Sequence, residues 1–236
     1  MSEGHLEHKN FTWYPLVTAV FVTALVISNI IAVKLVDIFG VLLPAAVILF
    51  PISYIIGDVL TEVYGFARAR QAIWTGFFCN LLAVIAIWVA GFLPPASFWS
   101  VGEFAGPEVA QQAYMAILGF TPRLLLASFL AYLAGEFLNA IVLAKLKLAT
   151  SGRYLWLRTI SSTVAGQGVD SLVFITVAFA GILPAGALQT AILSQWAFKT
   201  CYEAIATPLT YLVVNALKRA EGVDYYDRGT KFRPIG

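Results

Sequence analysis

The sequence predicts an all-α polytopic membrane protein with six transmembrane helices, both termini cytoplasmic, and a short interfacial helix in the third, periplasmic loop. Three observations predict it. First, of 236 residues 60% are hydrophobic and 12% charged, against about 45–50% and about 25% in soluble domains. Such a chain cannot clothe a globule in polar surface; it needs lipid as solvent. Second, six stretches reach the ~20 apolar residues that cross a bilayer: 14–36, 42–64, 71–93, 122–146, 159–181 and 187–217. Third, Lys and Arg fall in alternate connections. Arg68 and Arg70 sit in loop 65–70, Lys147, Arg153 and Arg158 around the loop before 159, and Lys218, Arg219, Arg228, Lys231 and Arg233 in the C-terminal tail. Loops 37–41, 94–121 and 182–186 carry none. Positive charge marks the cytoplasmic side, so residues 1–12 and 218–236 are expected to be cytoplasmic tails flanking a membrane domain of 13–217.

The first apolar run, from Trp13 to Val36, is too long for the ~7–15-residue core of a signal peptide and is followed by no small-x-small cleavage site. It is therefore read as a span. In the long third loop, Pro107 and Gly119 bracket an apolar stretch containing Val109, Tyr114, Met115, Ile117 and Leu118. Proline in a first turn and glycine past an end mark a helix, here lying at the interface with Phe98 and Trp99 as aromatic anchors. Thr121-Pro122 reads as an N-cap and first-turn proline opening the fourth span. The sixth span is longer than a bilayer needs and should tilt or project.

Charged groups are disfavoured at the bilayer centre by about 2.5–3.5 kcal/mol on insertion scales, so those present face a bundle interior and often mark a pathway. Candidate substrate-contacting residues are Glu136 and Asn139 in the fourth span, Gln167 and Asp170 in the fifth, Lys199 and Glu203 in the sixth, and Asn29 in the first. Asp58, with Glu62 one turn on, lies in the second span. Gln195, Lys199 and Glu203 share a helix face at four-residue steps. Glu136, Asp170 and Glu203 each lie near the middle of their span, with Lys199 one turn further out. Three acids at one level describe a polar chamber at the midplane, where secondary transporters hold substrate. Polar pairs also simply fasten helices, at about 0.6 kcal/mol each; Lys199–Glu203 reads equally as an intrahelical ion pair, and Lys34 as a side chain reaching for the interface. An acid-rich chamber disfavours anions and favours a small cationic or N–H-rich solute, since carboxylates accept paired N–H bonds.

No HExxH, GxSxG or phosphate-binding loop occurs, and no His lies in the spans, so the chain reads as neither an enzyme nor an ATP-driven pump. His5 and His8 have no accompanying ligand set, and Cys79 and Cys201 sit in apolar runs; no metal, cofactor or disulfide framework is expected. The net charge of +2 does not suggest nucleic acid as a partner. The expected partners are a small molecule and lipid, with room for a homodimer.

Several segments occur in an order that resembles one family. They are Ser28-Asn29, Phe50-Pro51, the run from Gly57 through Asp58, Thr61 and Glu62 to Gly65, the run from Arg123 to Glu136, Ser162 through Asp170 to Phe174, and Phe198-Lys199 with Pro208. Together they resemble the bacterial queuosine precursor transporters, also called vitamin uptake transporters. The resemblance implies an inner-membrane importer of 7-deazaguanines such as preQ0 or preQ1, which are neutral or cationic guanine-like bases. It implies Glu136 or Glu203 for the base edge, Asp170 for orientation or charge, and Lys199 for the base carbonyl or for neutralising its neighbours. Asp58 and Glu62 are then a gate or a structural lock, with Arg68 and Arg70 as partners. Phe50, Tyr54, Phe137, Phe174 and Trp196 are the aromatic candidates for stacking on the base. The rival reading is a substrate-capture subunit of an energy-coupling-factor importer, dependent on ATPase partners. Such subunits dock through an Ala-x-x-x-Ala motif, where this first span offers only Ala19/Thr23 and Ala24/Ser28.

Overall fold

The computed structural model describes residues 11–38, 41–119 and 121–235. Helix α1 (Tyr14–Ile31) opens with Pro15 in its first turn and ends at Ala32, whose N–H still reaches Ser28. It stops short of the expected residue 36. The chain instead folds into a β-hairpin of β1 (Leu35–Ile38) and β2 (Val41–Pro44), antiparallel, with Leu35 opposite Pro44 and Ile38 opposite Val41. The hairpin base is closed by the Ala45 N–H, which donates to the Lys34 carbonyl at 2.7 Å. A 3₁₀ turn (Ala45–Ile48) leads into α2 (Phe50–Tyr64). Thus the segment expected to be the start of the second span is strand and turn. Short β-branched runs on either side of Gly40 are the sequence signature of a hairpin, and their apolar character hid it among membrane residues.

Helices α3 (Phe66–Phe92), α4 (Pro107–Leu118), α5 (Pro122–Ala149), α6 (Leu155–Phe179) and α7 (Ala185–Glu221) complete the chain. The short helix expected in the third loop is α4, bounded by Pro107 and Gly119. Its Tyr114 and Gln111 donate to the Ile87 and Gly91 carbonyls near the end of α3. Thr121 caps α5 by accepting from the Leu124 N–H. Gly65 turns the chain between α2 and α3 with φ +83°, and a Cβ there would lie 2.2 Å from the Tyr225 ring, so only glycine fits.

Among the described residues, four helical stretches are long and apolar enough to cross a membrane: Tyr14–Ile31, Phe66–Phe92, Pro107–Ala149 (which contains α4 and α5) and Leu155–Phe179. The chain is therefore a multi-pass helical membrane protein. The two remaining long elements differ for a reason. Helix α2 has 15 residues, and α7 has 37 without the apolar composition. These are the helices that carry Asp58, Glu62, Lys199 and Glu203.

The most extensive pairing is α5 against α6. It depends on small residues, as close helix approaches in membranes generally do. A Cβ on Gly135 would meet the Asp170 Cβ at 2.8 Å, and one on Gly166 would meet the Asn139 Cβ at 2.7 Å. The two glycines thus bring Glu136 and Asn139 beside Gln167 and Asp170. The bundle has two distinct ends. At the tail face, the C-terminal segment ties down helix starts: Glu221 accepts from the Thr12 and Trp13 N–H groups at 3.1 and 2.6 Å, and both Asp227 oxygens accept from the Phe66 N–H. At the hairpin face, Arg123 donates to the Val177 and Ala180 carbonyls that finish α6.

Candidate functional site

Polar side chains are stacked through the bundle in three layers. Helix α2 marks them at successive turns with Tyr54, Asp58 and Glu62.

The first layer is a chamber of about 180 Å³, smaller than the ~300–1,000 Å³ of pockets for drug-sized ligands. Asn29, Tyr54, Glu136, Gln167, Asp170 and Lys199 all line it, so six of the residues singled out from sequence converge. Lys199 donates to Asp170 Oδ2 across the α6–α7 interface and also bonds the Tyr54 hydroxyl. Glu136 packs against Gly57, where an added Cβ would lie 3.2 Å from its Oε2. The Gln167 and Gln195 carbonyl oxygens have no hydrogen-bond partner among the described residues. Phe174 and Tyr132 supply apolar wall, and the Tyr132 hydroxyl donates to the Ile73 carbonyl at 3.0 Å. Toward the hairpin face the chamber adjoins a vestibule of about 310 Å³, sharing Asn29, Ser128 and Phe174 and adding Asn80 and apolar residues of α3 and α5. Asn29 donates to Asn80 Oδ1 at 2.9 Å, spanning α1 and α3.

The second layer holds Asp58, Asn139 and Glu203, one turn nearer the tail face and outside the chamber lining. Asn139 Nδ2 donates to Asp58 Oδ1 at 2.8 Å. The expected level of three acids therefore splits: Glu136 and Asp170 face the chamber while Glu203 does not. Nor does Lys199 pair with Glu203 along α7, because Asp170 on the neighbouring helix takes it.

The third layer is an ion cluster at the tail face. Glu62, wholly buried, accepts from Arg158 Nη2 at 2.8 Å, Arg158 Nε at 3.2 Å and Lys218 Nζ at 2.6 Å. Lys147 lies 3.4 Å from the same carboxylate and donates to the Glu62 carbonyl and to Asp224 Oδ1, both at 2.6 Å. Lys218 also reaches Asp224 at 2.7 Å. Burial acts to raise the Asp224 carboxyl, but hydrogen bonds from Lys147 and Lys218 outweigh it and hold the group below the usual carboxylate value. Asp227 is pushed up by burial, partly offset by the Phe66 N–H.

The partners expected for this region, Arg68 and Arg70, are engaged elsewhere. Arg68 sits over the Phe11 and Tyr14 rings and bonds Gln71, and Arg70 donates to the Arg233 carbonyl. Sequence proximity favoured them, whereas the real partners are 85 to 156 residues away. Of the aromatics, Tyr54 and Phe174 line the chamber. Phe137 packs on Trp74 at 5.9 Å, and the Trp196 indole donates to the Val164 carbonyl. The Phe50 side chain lies outside the described residues, as do His5 and His8. Lys34 lies in the exposed turn before β1, beyond α1. Gln195, Ser53 and Tyr132 joined the chamber without being singled out for it; Gln195 alone had a usable signal, four residues from Lys199. Among the described residues no three His, Cys, Asp or Glu side chains form a metal-holding group.

A family model named "Putative vitamin uptake transporter" matches residues 44–213, which covers the three layers except the α1 residues of the chamber, Asn29 among them, and Lys218 and Asp224 of the ion cluster. The chain belongs to that family. Its members are transporters, which agrees with a polar chamber buried among membrane helices. Among curated relatives, the "Probable queuosine precursor transporter" of Bacillus subtilis (strain 168) is 33% identical over 84% of this chain and 83% of its own length. The "Queuosine precursor transporter" of Escherichia coli (strain K12) is 26% identical over 73% of this chain and 70% of its own. A Haemophilus influenzae protein carrying the same name as the Bacillus one is 28% identical over 55% of this chain and 49% of its own. No solved structure matches the chain.

Proposed function

We propose that this protein imports queuosine precursors, 7-deazaguanine bases such as preQ0 and preQ1, across a bacterial inner membrane as a self-sufficient carrier. The observation that carries the reading is the first layer: a small chamber with a carboxylate, two unpartnered amide oxygens, an Asp170–Lys199 pair and aromatic walls. Each part suits a guanine-like base. The Glu136 carboxylate accepts the paired N–H groups of the base edge. Lys199 donates to the ring carbonyl, with Asp170 holding it in place and offering charge to an aminomethyl ammonium. Tyr54 and Phe174 stack on the planar ring.

Six spans with both termini cytoplasmic complete the proposal, with α2 and α7 crossing among the other helices. Supporting it, the tail face gathers Arg68, Arg70, Lys147, Arg153, Arg158, Lys218 and Arg219, while the hairpin face has Lys34 and Arg123. In this orientation the vestibule opens toward the periplasm and the ion cluster closes the cytoplasmic side, so the conformation faces outward. Of the four small residues in the two looser pairs of α1, Ala24 and Ser28 are buried in the bundle while Ala19 and Thr23 are exposed, so the pairs do not form one shared docking stripe for an ATPase partner.

The test is uptake of labelled preQ1 and preQ0 into liposomes containing the purified chain alone. Saturable uptake is expected, and Asp170→Asn should lower it about 10–100-fold while the protein still elutes as a folded species, the loss expected for a charged hydrogen bond of about 1.5–3 kcal/mol. Tight binding without uptake would transfer the protein to the capture-subunit class. Normal uptake by the variant would remove Asp170 from the site.

A further inference from the structure

The second layer lies outside the chamber lining, and among the described residues it gathers four buried acceptor atoms without a hydrogen-bond partner. Glu203 is 0% exposed, Asp58 1% and Asn139 8%. Both Glu203 carboxylate oxygens, Asp58 Oδ2 and Asn139 Oδ1 have no hydrogen-bond partner among the described residues. All four atoms are acceptors when the acids are ionised. Helices α2 and α7, which carry Asp58 and Glu203, pack against each other. Two buried acids with oxygens left bare in one polar layer of a water-poor interior cannot both keep their charge. What satisfies the group is a hydrogen that one acid donates and another oxygen accepts.

We propose that Asp58, Asn139 and Glu203 form a proton-binding site, separate from the substrate chamber, in which the two carboxylates hold one proton between them. Asn139 fixes the geometry. Its amide donates to one Asp58 oxygen, which leaves the second Asp58 oxygen and its own carbonyl to receive the shared hydrogen. A hard divalent cation is a poorer occupant, because such ions take six or more oxygens and the site offers four free ones.

Every neighbouring charge has been assigned a position. Toward the chamber stand Glu136 on α5, Asp170 on α6 and Lys199 on α7. Toward the tail face stand Glu62 on α2 itself, Lys147 on α5, Arg158 on α6 and Lys218 on α7, all joined in the ion cluster. Helix α1 has no charged residue, and α3 has only Arg68 and Arg70 in its first turns. Among the described residues, the cation placed to neutralise the pair is therefore Lys199, one helical turn from Glu203 and already held by Asp170. This supplies the link to transport, and here the inference rests on the function proposed above. When the proton leaves, Glu203 competes with Asp170 for the Lys199 ammonium, and the charge lining the chamber changes.

Infrared difference spectra of the full chain in lipid nanodiscs, recorded against pH without any base, test the site directly. A protonated-carboxyl band that titrates is expected in the parent. It should vanish in Glu203→Gln and shift or vanish in Asp58→Asn, and should survive in Glu136→Gln. Persistence of the band in both Glu203→Gln and Asp58→Asn, or its loss when sodium is added at constant pH, overturns the proposal; sodium loss would mark a monovalent-cation site. In liposomes, uptake of preQ1 should acidify the lumen for the parent and cease to do so for Glu203→Gln. If no base is taken up at all, the substrate reading fails, while the spectra still decide the proton site.

Discussion

Glu62 and Glu203 are both wholly buried glutamates inside the same bundle, yet their surroundings are opposite. Glu62 is surrounded by Arg158, Lys147 and Lys218; neither Glu203 oxygen has a hydrogen-bond partner among the described residues. Burial alone therefore does not tell what an intramembrane carboxylate is for. A saturated one fastens helices, and here it shuts one end of the protein. An unsatisfied one is waiting for something the fold does not itself provide. The chamber lies between these extremes, with one ion pair formed and several acceptors left open.

The largest effect that would sharpen this contrast is at the saturated end. Glu62→Gln leaves buried cations uncompensated and should destabilise the protein by about 3–5 kcal/mol, read as a large drop in melting temperature in detergent. An unchanged melting temperature would erase the distinction between the two glutamates. Next comes the helix pair that positions the chamber. Gly166→Val drives a side chain into Asn139, 2.7 Å from where its Cβ must sit, at a cost of about 1–3 kcal/mol. Base binding should fall with it, whereas a variant of normal stability and affinity would mean that α5 and α6 separate freely. Glu203→Gln should change stability by no more than about 1 kcal/mol at neutral pH, because an amide N–H can donate where the shared hydrogen did; a loss as large as that of Glu62→Gln would reveal a cation partner for it. The smallest effect is at Asp224, whose side chain is 44% exposed, so its pairs are screened and worth under about 1 kcal/mol. Its carboxyl is held low, so this contribution is present above the unfolded value of about 3.9 and is lost as pH falls through the lower folded one. Asp224→Asn should flatten that acid-side loss. Asp227, raised by burial, works in the opposite direction, so the comparison is with the parent protein at each pH.

Much of this was legible in the sequence for physical reasons. Spans announce themselves by apolar length, α4 by Pro107 and Gly119, and the α5 start by Thr121-Pro122. The convergence of Glu136, Gln167, Asp170 and Lys199 follows from their similar depth in three helices. What was not legible depends on rotation about helix axes and on long-range pairing. Glu203 shares a helix face with Lys199, but nothing in its spacing says that Asp170 takes the ammonium. Arg158 and Lys218 were visible as topology markers, and only the fold makes them ligands of Glu62. The hairpin was concealed because strand and span draw on the same residues, Val, Ile and Leu.

The closing of the tail face has a consequence for biogenesis. Its cluster joins Glu62 from α2, Lys147 from α5 and Arg158 from α6 to Lys218 and Asp224, and Glu221 and Asp227 hold the starts of α1 and α3. These last four residues follow in the chain all those they join. Until they emerge, a nascent chain with most helices already inserted still carries incompletely neutralised charges and two untethered helix ends. The tail face is therefore completed only after these residues are made, and a product truncated before Lys218 would leave the Glu62 cluster and two helix starts incomplete.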